Sequence, residues 1–254
     1  MKQWVAFMTL VERELSRIFR VWKQTLVPPI ITSSLYILIF GYSLGSRIDL
    51  GTGADYLTFI FPGLVLMGVI SSAYANTSFS LFITKFHRNI QELLASPMSA
   101  LSINVGYVGG SIVRAGLVGI GTYLVGLILA GIGVSNVLLA LYIGFVTIII
   151  FAQAGFLTAM WAEDFDQVNV FTLFLITPLI YLGGVFYSID LLPPFWKNLS
   201  AFNPIFYLVD SFRFAFIGTS DAPVLVSLVV ATLIAVVLTV VNVYLFRKGY
   251  KIRS

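Results

Sequence analysis

Lys85-Phe-His-Arg-Asn-Ile-Gln-Glu-Leu-Leu-Ala-Ser-Pro-Met-Ser-Ala-Leu-Ser102 is a polar island, flanked on both sides by uncharged hydrophobic sequence. Lys85, Arg88, Gln91 and Glu92 recur at helical spacing, with Phe86, Ile90, Leu93 and Leu94 on the other side of the same helix. Pro97 ends it, because proline supplies no N–H for another turn. The pattern predicts a short amphipathic helix between two membrane spans, lying where lipid headgroups meet cytosol. Two roles suit such a helix. It is either a charged loop that only fixes topology, or a lever on which a cytosolic partner pushes.

Working outward, the composition sets the solvent. Hydrophobic residues make up 59% of the 254 residues, charged ones 10%, and mean hydropathy is +0.97. A water-soluble domain of that length cannot cover so much apolar surface, so the chain reads as an all-α polytopic membrane protein. Cysteine does not occur in the sequence, which excludes disulfides, Fe–S clusters and thiol chemistry. The net charge of +4 would suggest nucleic acid in a soluble protein. Here membrane topology is the simpler cause, and no nucleic-acid partner is expected. No cleavable signal peptide is expected, since the first apolar run begins only at Leu26 and is long enough to span and stay.

Six spans are predicted. Residues 1–23 alternate Trp4, Val5, Met8, Val11, Leu15, Ile18, Phe19 and Trp22 with a cationic face, as an interfacial helix does. Span one covers Leu26–Leu44, and a polar turn at Gly45–Asp55 carries Arg47, Asp49 and Asp55. Span two, Tyr56–Ile83, has Ser71, Ser72, Asn76, Thr77 and Ser78 on a polar side. It exceeds a ~30 Å hydrocarbon layer, so it tilts, protrudes, or breaks near Pro62. Span three, Ile103–Ile132, opens with the small-xxx-small pair Gly106 and Gly110, a face another helix can approach closely. Span four runs from Val137 to Trp161 and span five from Val168 to Tyr187, with a kink expected at Pro178. Ser188–Asp221 is aromatic, apolar and too short in its runs to cross, so it reads as re-entrant or interfacial helices. Span six is Val224–Phe246.

Eleven of the 15 lysines and arginines fall before span one, in the island and in the tail when the N-terminus is cytosolic. The asymmetry places both termini and the island inside and Ser188–Asp221 outside. Arg114, about ten residues inside span three, either snorkels to the cytosolic interface or pairs with Glu163, Asp164 or Asp166.

Catalytic constellations are missing. The sequence has no G-x-x-x-x-G-K-[ST] phosphate loop, so this chain should not hydrolyse ATP by itself. His87 is the single histidine, with no second ligand nearby for a metal, and neither a G-x-S-x-G elbow nor an H-E-x-x-H helix occurs. No catalytic or metal-binding residue is assigned. A secondary, ion-coupled transporter would bury ionisable groups in mid-membrane. That reading, a non-transport membrane scaffold and a lipid-modifying enzyme stand as the alternatives.

Several segments together resemble the membrane subunits of ABC-2 type exporters, the ABC-2 permeases. They are Gln24-Thr-Leu-Val-Pro-Pro-Ile30, Lys85 through Pro97, and Gly106-Tyr-Val-Gly-Gly110. Further on come Thr177 through Ser188, Leu191-Leu-Pro-Pro-Phe-Trp196, and Asn203-Pro204 with Tyr207, Asp210, Phe212 and Arg213. The resemblance covers essentially the whole chain as one ABC-2 type transmembrane domain, 1–254, and is strongest to a YadH-like branch. Drug, nodulation-factor and polysaccharide export permeases are more distant.

It implies a half-transporter of the bacterial inner membrane, in which two copies of the chain form the pore. Two copies of a cytosolic ABC ATPase, carrying ATP and Mg, drive it, and this chain itself holds no cofactor. Residues 85–100 would be the coupling segment, with Lys85, Phe86, Arg88, Glu92 and Leu93 meeting the ATPase. Of these, Phe86 and Leu93 would be apolar knobs. Residues 188–221 would form the external re-entrant hairpin between spans five and six, with Asp210 and Arg213 at the gate. Tyr36, Phe40, Ser72, Asn76, Tyr181 and Phe186 are candidates for the wall of a substrate cavity, with helix packing as the alternative role of each. Membrane lipids are expected around it, and lipid-like, glycan or hydrophobic cargo would suit it.

Overall fold

The computed structural model describes residues 2–44 and 55–252. Apart from Asp55, the polar turn expected at Gly45–Asp55 lies outside the described residues, as does Arg253 of the tail. Among the described residues the structure is helical and has no strand. In chain order the helices are α1 (Lys2–Arg20), α2 (Trp22–Thr25), α3 (Val27–Tyr36), α4 (Tyr56–Phe86), α5 (Ile90–Ala95) and α6 (Ala100–Ala130). They continue with α7 (Val137–Trp161), α8 (Phe165–Phe171), α9 (Thr177–Tyr181), α10 (Pro194–Ala201), α11 (Pro204–Ile217) and α12 (Val224–Lys248).

Helices α4, α6, α7 and α12 are long and apolar enough to cross a membrane. Two shorter apolar stretches accompany them: α3 with its wider-wound continuation Ile37–Leu44, and the run Phe165–Tyr181. Helix α4 is the axis of the bundle. It is buried almost all round and packs chiefly on α7 and α6, whereas α12 is largely exposed. Close backbone approach makes this possible. A Cβ added at Gly155 would come within 2.5 Å of the Tyr74 carbonyl oxygen, so α7 can lie against α4 only with glycine there.

Helix α4 runs unbroken through Pro62. Its 31 residues extend about 46 Å, so of the expected alternatives it protrudes or tilts rather than breaks. At Pro178 the chain rewinds instead of simply kinking. Thr172–Ile176 forms a π-helical turn, and the Thr177 hydroxyl donates to the Thr172 carbonyl at 2.9 Å. Helix ends carry their own stops. Ser99, Asn136, Asp164 and Asn203 cap the starts of α6, α7, α8 and α11, and Gly131 (φ 66°) and Gly218 (φ 75°) end α6 and α11 in the left-handed region.

The Gly106–Gly110 face does receive a helix, and that helix is α1. Leu10 sits over Gly106 and Glu14 over Gly110, so α1 and α6 run side by side in the same direction. The face of α1 that packs is Leu10, Glu14 and Ile18, each 4% exposed or less, while Trp4, Val5, Phe19 and Trp22 point outward. Of the apolar stripe read from sequence, Ile18 is thus buried against the bundle while Trp4, Val5, Phe19 and Trp22 stay outside, and the inner face carries a carboxylate.

Candidate functional site

The polar island is a corner, not one helix. Helix α4 carries through Lys85 and Phe86, the chain reverses at Arg88 (φ 61°), and α5 begins only at Ile90. Ser96 is extended (ψ 156°), as the residue before a proline prefers. The break changes the phase of the side chains. Ile90 and Leu93 turn inward and pack with Leu81, Phe82, Ile103 and Phe246, a burial that contributes about 1.5–3 kcal/mol for each of the two. Leu93 is therefore not an outward knob, contrary to expectation, since only an unbroken helix would put it beside Phe86. Phe86 is 54% exposed, with His87, Arg88, Gln91 and Glu92 beside it.

Lys85 is also redirected. Its ammonium donates to the carbonyls of Met160 and Ala162, at 2.8 Å each. Those belong to the end of α7, where unpaired carbonyls and the helix dipole favour a cation. Lys85 welds α4 to α7 and is not part of the outward face. The corner accordingly exposes one aromatic knob with charges around it, on a base braced by α5 and α7.

Of the six cavity candidates, four meet. Tyr36, Phe40 and Tyr181 ring Phe186, with centroids 5.4–5.8 Å from its own. The Tyr56 hydroxyl donates to the Phe186 carbonyl at 3.0 Å and fixes that loop to α4. Ser72 and Asn76 lie apart from this cluster. Ser72 is buried with its hydroxyl unpaired, and Asn76 is walled in, donating to Ser111 and accepting from Arg17. Asn76 is thus a tie between helices, not a wall residue of an open cavity. A separate apolar cavity of about 640 Å³ lies between α4, α6, α7 and α11, lined by Val69, Tyr123, Tyr142, Phe145 and Phe216 among others. None of the six borders it.

Asp210 and Arg213 come together on α11, 4.0 Å apart and both fully buried. Arg213 donates to the carbonyls of Phe59 (3.1 Å) and Gly184 (2.6 Å), and its guanidinium lies 3.7 Å above the Phe59 ring. Asp210 accepts from the amides of Asp221 and Ala222, at 2.9 and 3.0 Å. Burial pushes the Asp210 carboxyl up from the usual range, while those two amides and Arg213 pull it back. One pair therefore pins α11 to α4, to the loop after α9 and to the approach to α12.

Two polar ties escaped sequence reading. Glu14, 1% exposed, accepts from Ser80 with both oxygens at 2.8 Å and from Arg17 at 2.8 Å. Arg13 stands 3.5 Å away and reaches the Tyr107 hydroxyl. The signal was present as Asn76, Ser80 and Thr84, four residues apart on α4, facing a charged position on α1. The second tie is Asn104, Gln153 and Asn242, whose amides exchange hydrogen bonds of 2.7–3.0 Å and join α6, α7 and α12. Three single residues, far apart in sequence, gave no pattern to find.

Arg114 pairs with none of Glu163, Asp164 and Asp166. Lys251 takes Glu163, Asp164 caps α8, and Asp166 is exposed. Among the described residues no three His, Asp or Glu side chains cluster as a metal would require.

A helical bundle built on a buried central helix, with an exposed corner at one end and a pinned helix pair at the other, is the form of a multi-pass membrane protein. Residues 5–217 match the family described as ABC-2 type transporter, and the chain belongs to that family. Over 251 residues it is 42% identical to the inner membrane transport permease YadH of Escherichia coli strain K12, covering 99% of this chain and 98% of that one. It is 24% identical over 240 residues to nodulation protein J of Rhizobium leguminosarum bv. viciae, covering 91% and 92% of the two chains. The chain is thus a multi-pass inner-membrane transport permease.

Proposed function

We propose that two copies of this chain form the path of an ATP-driven exporter, with two copies of a cytosolic ABC ATPase as its motor. ATP and Mg reside on the ATPase, and the chain itself is the gate. Its six spans are residues 27–44, α4, α6, α7, the α8–α9 stretch with the loop that follows, and α12, with both termini cytosolic. Helices α10 and α11 are the external re-entrant hairpin. Alternating access moves a lipid-like, glycan or hydrophobic substrate outward, past the aromatic cluster around Phe186.

The observation that carries this reading is the corner at 86–88. Phe86 projects from the very end of α4, and that end is braced by Lys85 on α7 and by Ile90 and Leu93 beneath it. A push there is delivered as rigid-body motion to the helix that touches most of the bundle. The test is ATP hydrolysis by the ATPase that co-purifies in mild detergent. Arg88→Glu should abolish its stimulation by the permease while membrane insertion is retained. A permease that purifies alone and moves solute without nucleotide would exclude the proposal in favour of a secondary carrier.

A further inference from the structure

Arg114 is a guanidinium on a membrane helix with nothing among the described residues to neutralise it. It forms no ion pair or hydrogen bond with the described residues, and its Nε is buried without a partner. Arg17, three residues beyond the Glu14 that covers Gly110, brings a like charge near it. Arg17 gives Nη2 to Glu14 and Asn76, and its Nε is likewise buried and unpaired. A bare cation at this depth is costly unless an anion meets it.

Its place in the fold says where that anion would sit. Arg114 shares a face of α6 with Gly110 and Gly121. Glu14 of α1 covers Gly110 and Ile30 of α3 covers Gly121, so Arg114 lies between them, level with the last turn of α1 around Arg17 and Ile18 and beside the short link to α3. Arg20 at the end of α1 and Trp22 and Lys23 in that link are exposed. Sixteen residues, about 24 Å, separate Arg114 from the far end of α6 at Ala130. A hydrocarbon layer of ~30 Å measured from that end stops within reach of an arginine side chain. Beyond Arg114, toward the membrane interior, Leu117 and Ile120 of α6 and Ile31 and Leu35 of α3 are exposed apolar surface.

Two arginines at the headgroup level, one of them without a partner among the described residues, beside the exposed apolar surface of α3 and α6 fit an amphiphile. We infer that Arg114 and Arg17 bind the phosphate of a membrane phospholipid where the end of α1 meets α6, with its acyl chains along the exposed outer side of α3 and α6. A free phosphate would satisfy the arginines and leave the exposed Ile31, Leu35, Leu117 and Ile120 uncovered, so the lipid is the occupant that uses both. Glu14 and Asn76 hold Arg17 in place for this role.

The test uses the protein in phosphatidylcholine nanodiscs doped with phosphatidylglycerol that carries a diazirine beside the phosphate. Photolysis should label peptides within residues 17–31 and 113–124, and unlabelled phosphatidylglycerol should compete the label away while excess inorganic phosphate leaves it intact. Arg114→Gln should reduce labelling about tenfold, the loss of one charge-assisted contact, and Arg114→Lys should restore part of it. The wild-type map is decisive even where a variant fails to fold. Label spread evenly over the lipid-facing helices, displacement by inorganic phosphate, or a folded Arg114→Gln variant labelled like wild type would each overturn the proposal.

Discussion

Removing the Glu14 carboxylate should undock α1. Glu14→Ala leaves Ser80 without its acceptor and Arg17, whose side chain is 30% exposed, with only Asn76. A wholly buried pair broken on one side costs about 3–5 kcal/mol, and the partial exposure of Arg17 reduces that to about 2–3 kcal/mol. For a chain of this size that is a loss of roughly 4–12 °C in melting temperature. Glu14→Gln keeps an acceptor for Ser80 and should fall between the two. The assay is thermal unfolding in detergent, paired with a disulfide trap. The sequence has no cysteine, so Leu10→Cys with Gly106→Cys reports α1 docking on a clean background. Cross-linking should be fast in the otherwise native chain and several-fold slower with Glu14→Ala added. Equal melting temperatures together with equal cross-linking rates would refute the claim that a buried carboxylate holds α1 in place.

Three further outcomes follow from the same geometry. Arg213→Ala should cost about 3–5 kcal/mol by stranding buried Asp210, and Arg213→Lys should not rescue it, since one ammonium cannot reach both the Phe59 and Gly184 carbonyls in the fork geometry. Thermal unfolding of both variants checks this. Leu93→Ser should destabilise the permease by about 2–5 kcal/mol, whereas Phe86→Ala should leave its melting temperature within 1–2 °C and lower retention of the ATPase in a pull-down. Lys85→Met should loosen the end of α7, read as faster amide hydrogen exchange at residues 158–162.

The membrane bundle was legible because hydrophobic runs of 25 residues or more have few other readings, and α4, α6, α7 and α12 fell where the runs did. The polar island was legible as a feature but not in its phase. Periodicity cannot reveal that Arg88 takes a left-handed backbone, and that one residue turns Leu93 inward and leaves Phe86 outside. Asp210 and Arg213 stood out because charges in apolar sequence need partners, though the carbonyls Arg213 binds come from residues 59 and 184. Glu14 was hidden by its setting. In a helix that also carries Glu12, Arg13, Arg17 and Arg20, nothing local marks the one charge that is buried.

The central claim is that the corner at Phe86–Arg88 is where a separate motor acts, and a cross-link from it is the most direct measurement. A photoreactive benzophenone amino acid at position 87, irradiated in living cells, should yield one principal adduct, with a cytosolic ATPase containing a phosphate-binding loop. No adduct, or an adduct with a protein on the far side of the membrane, would contradict the account.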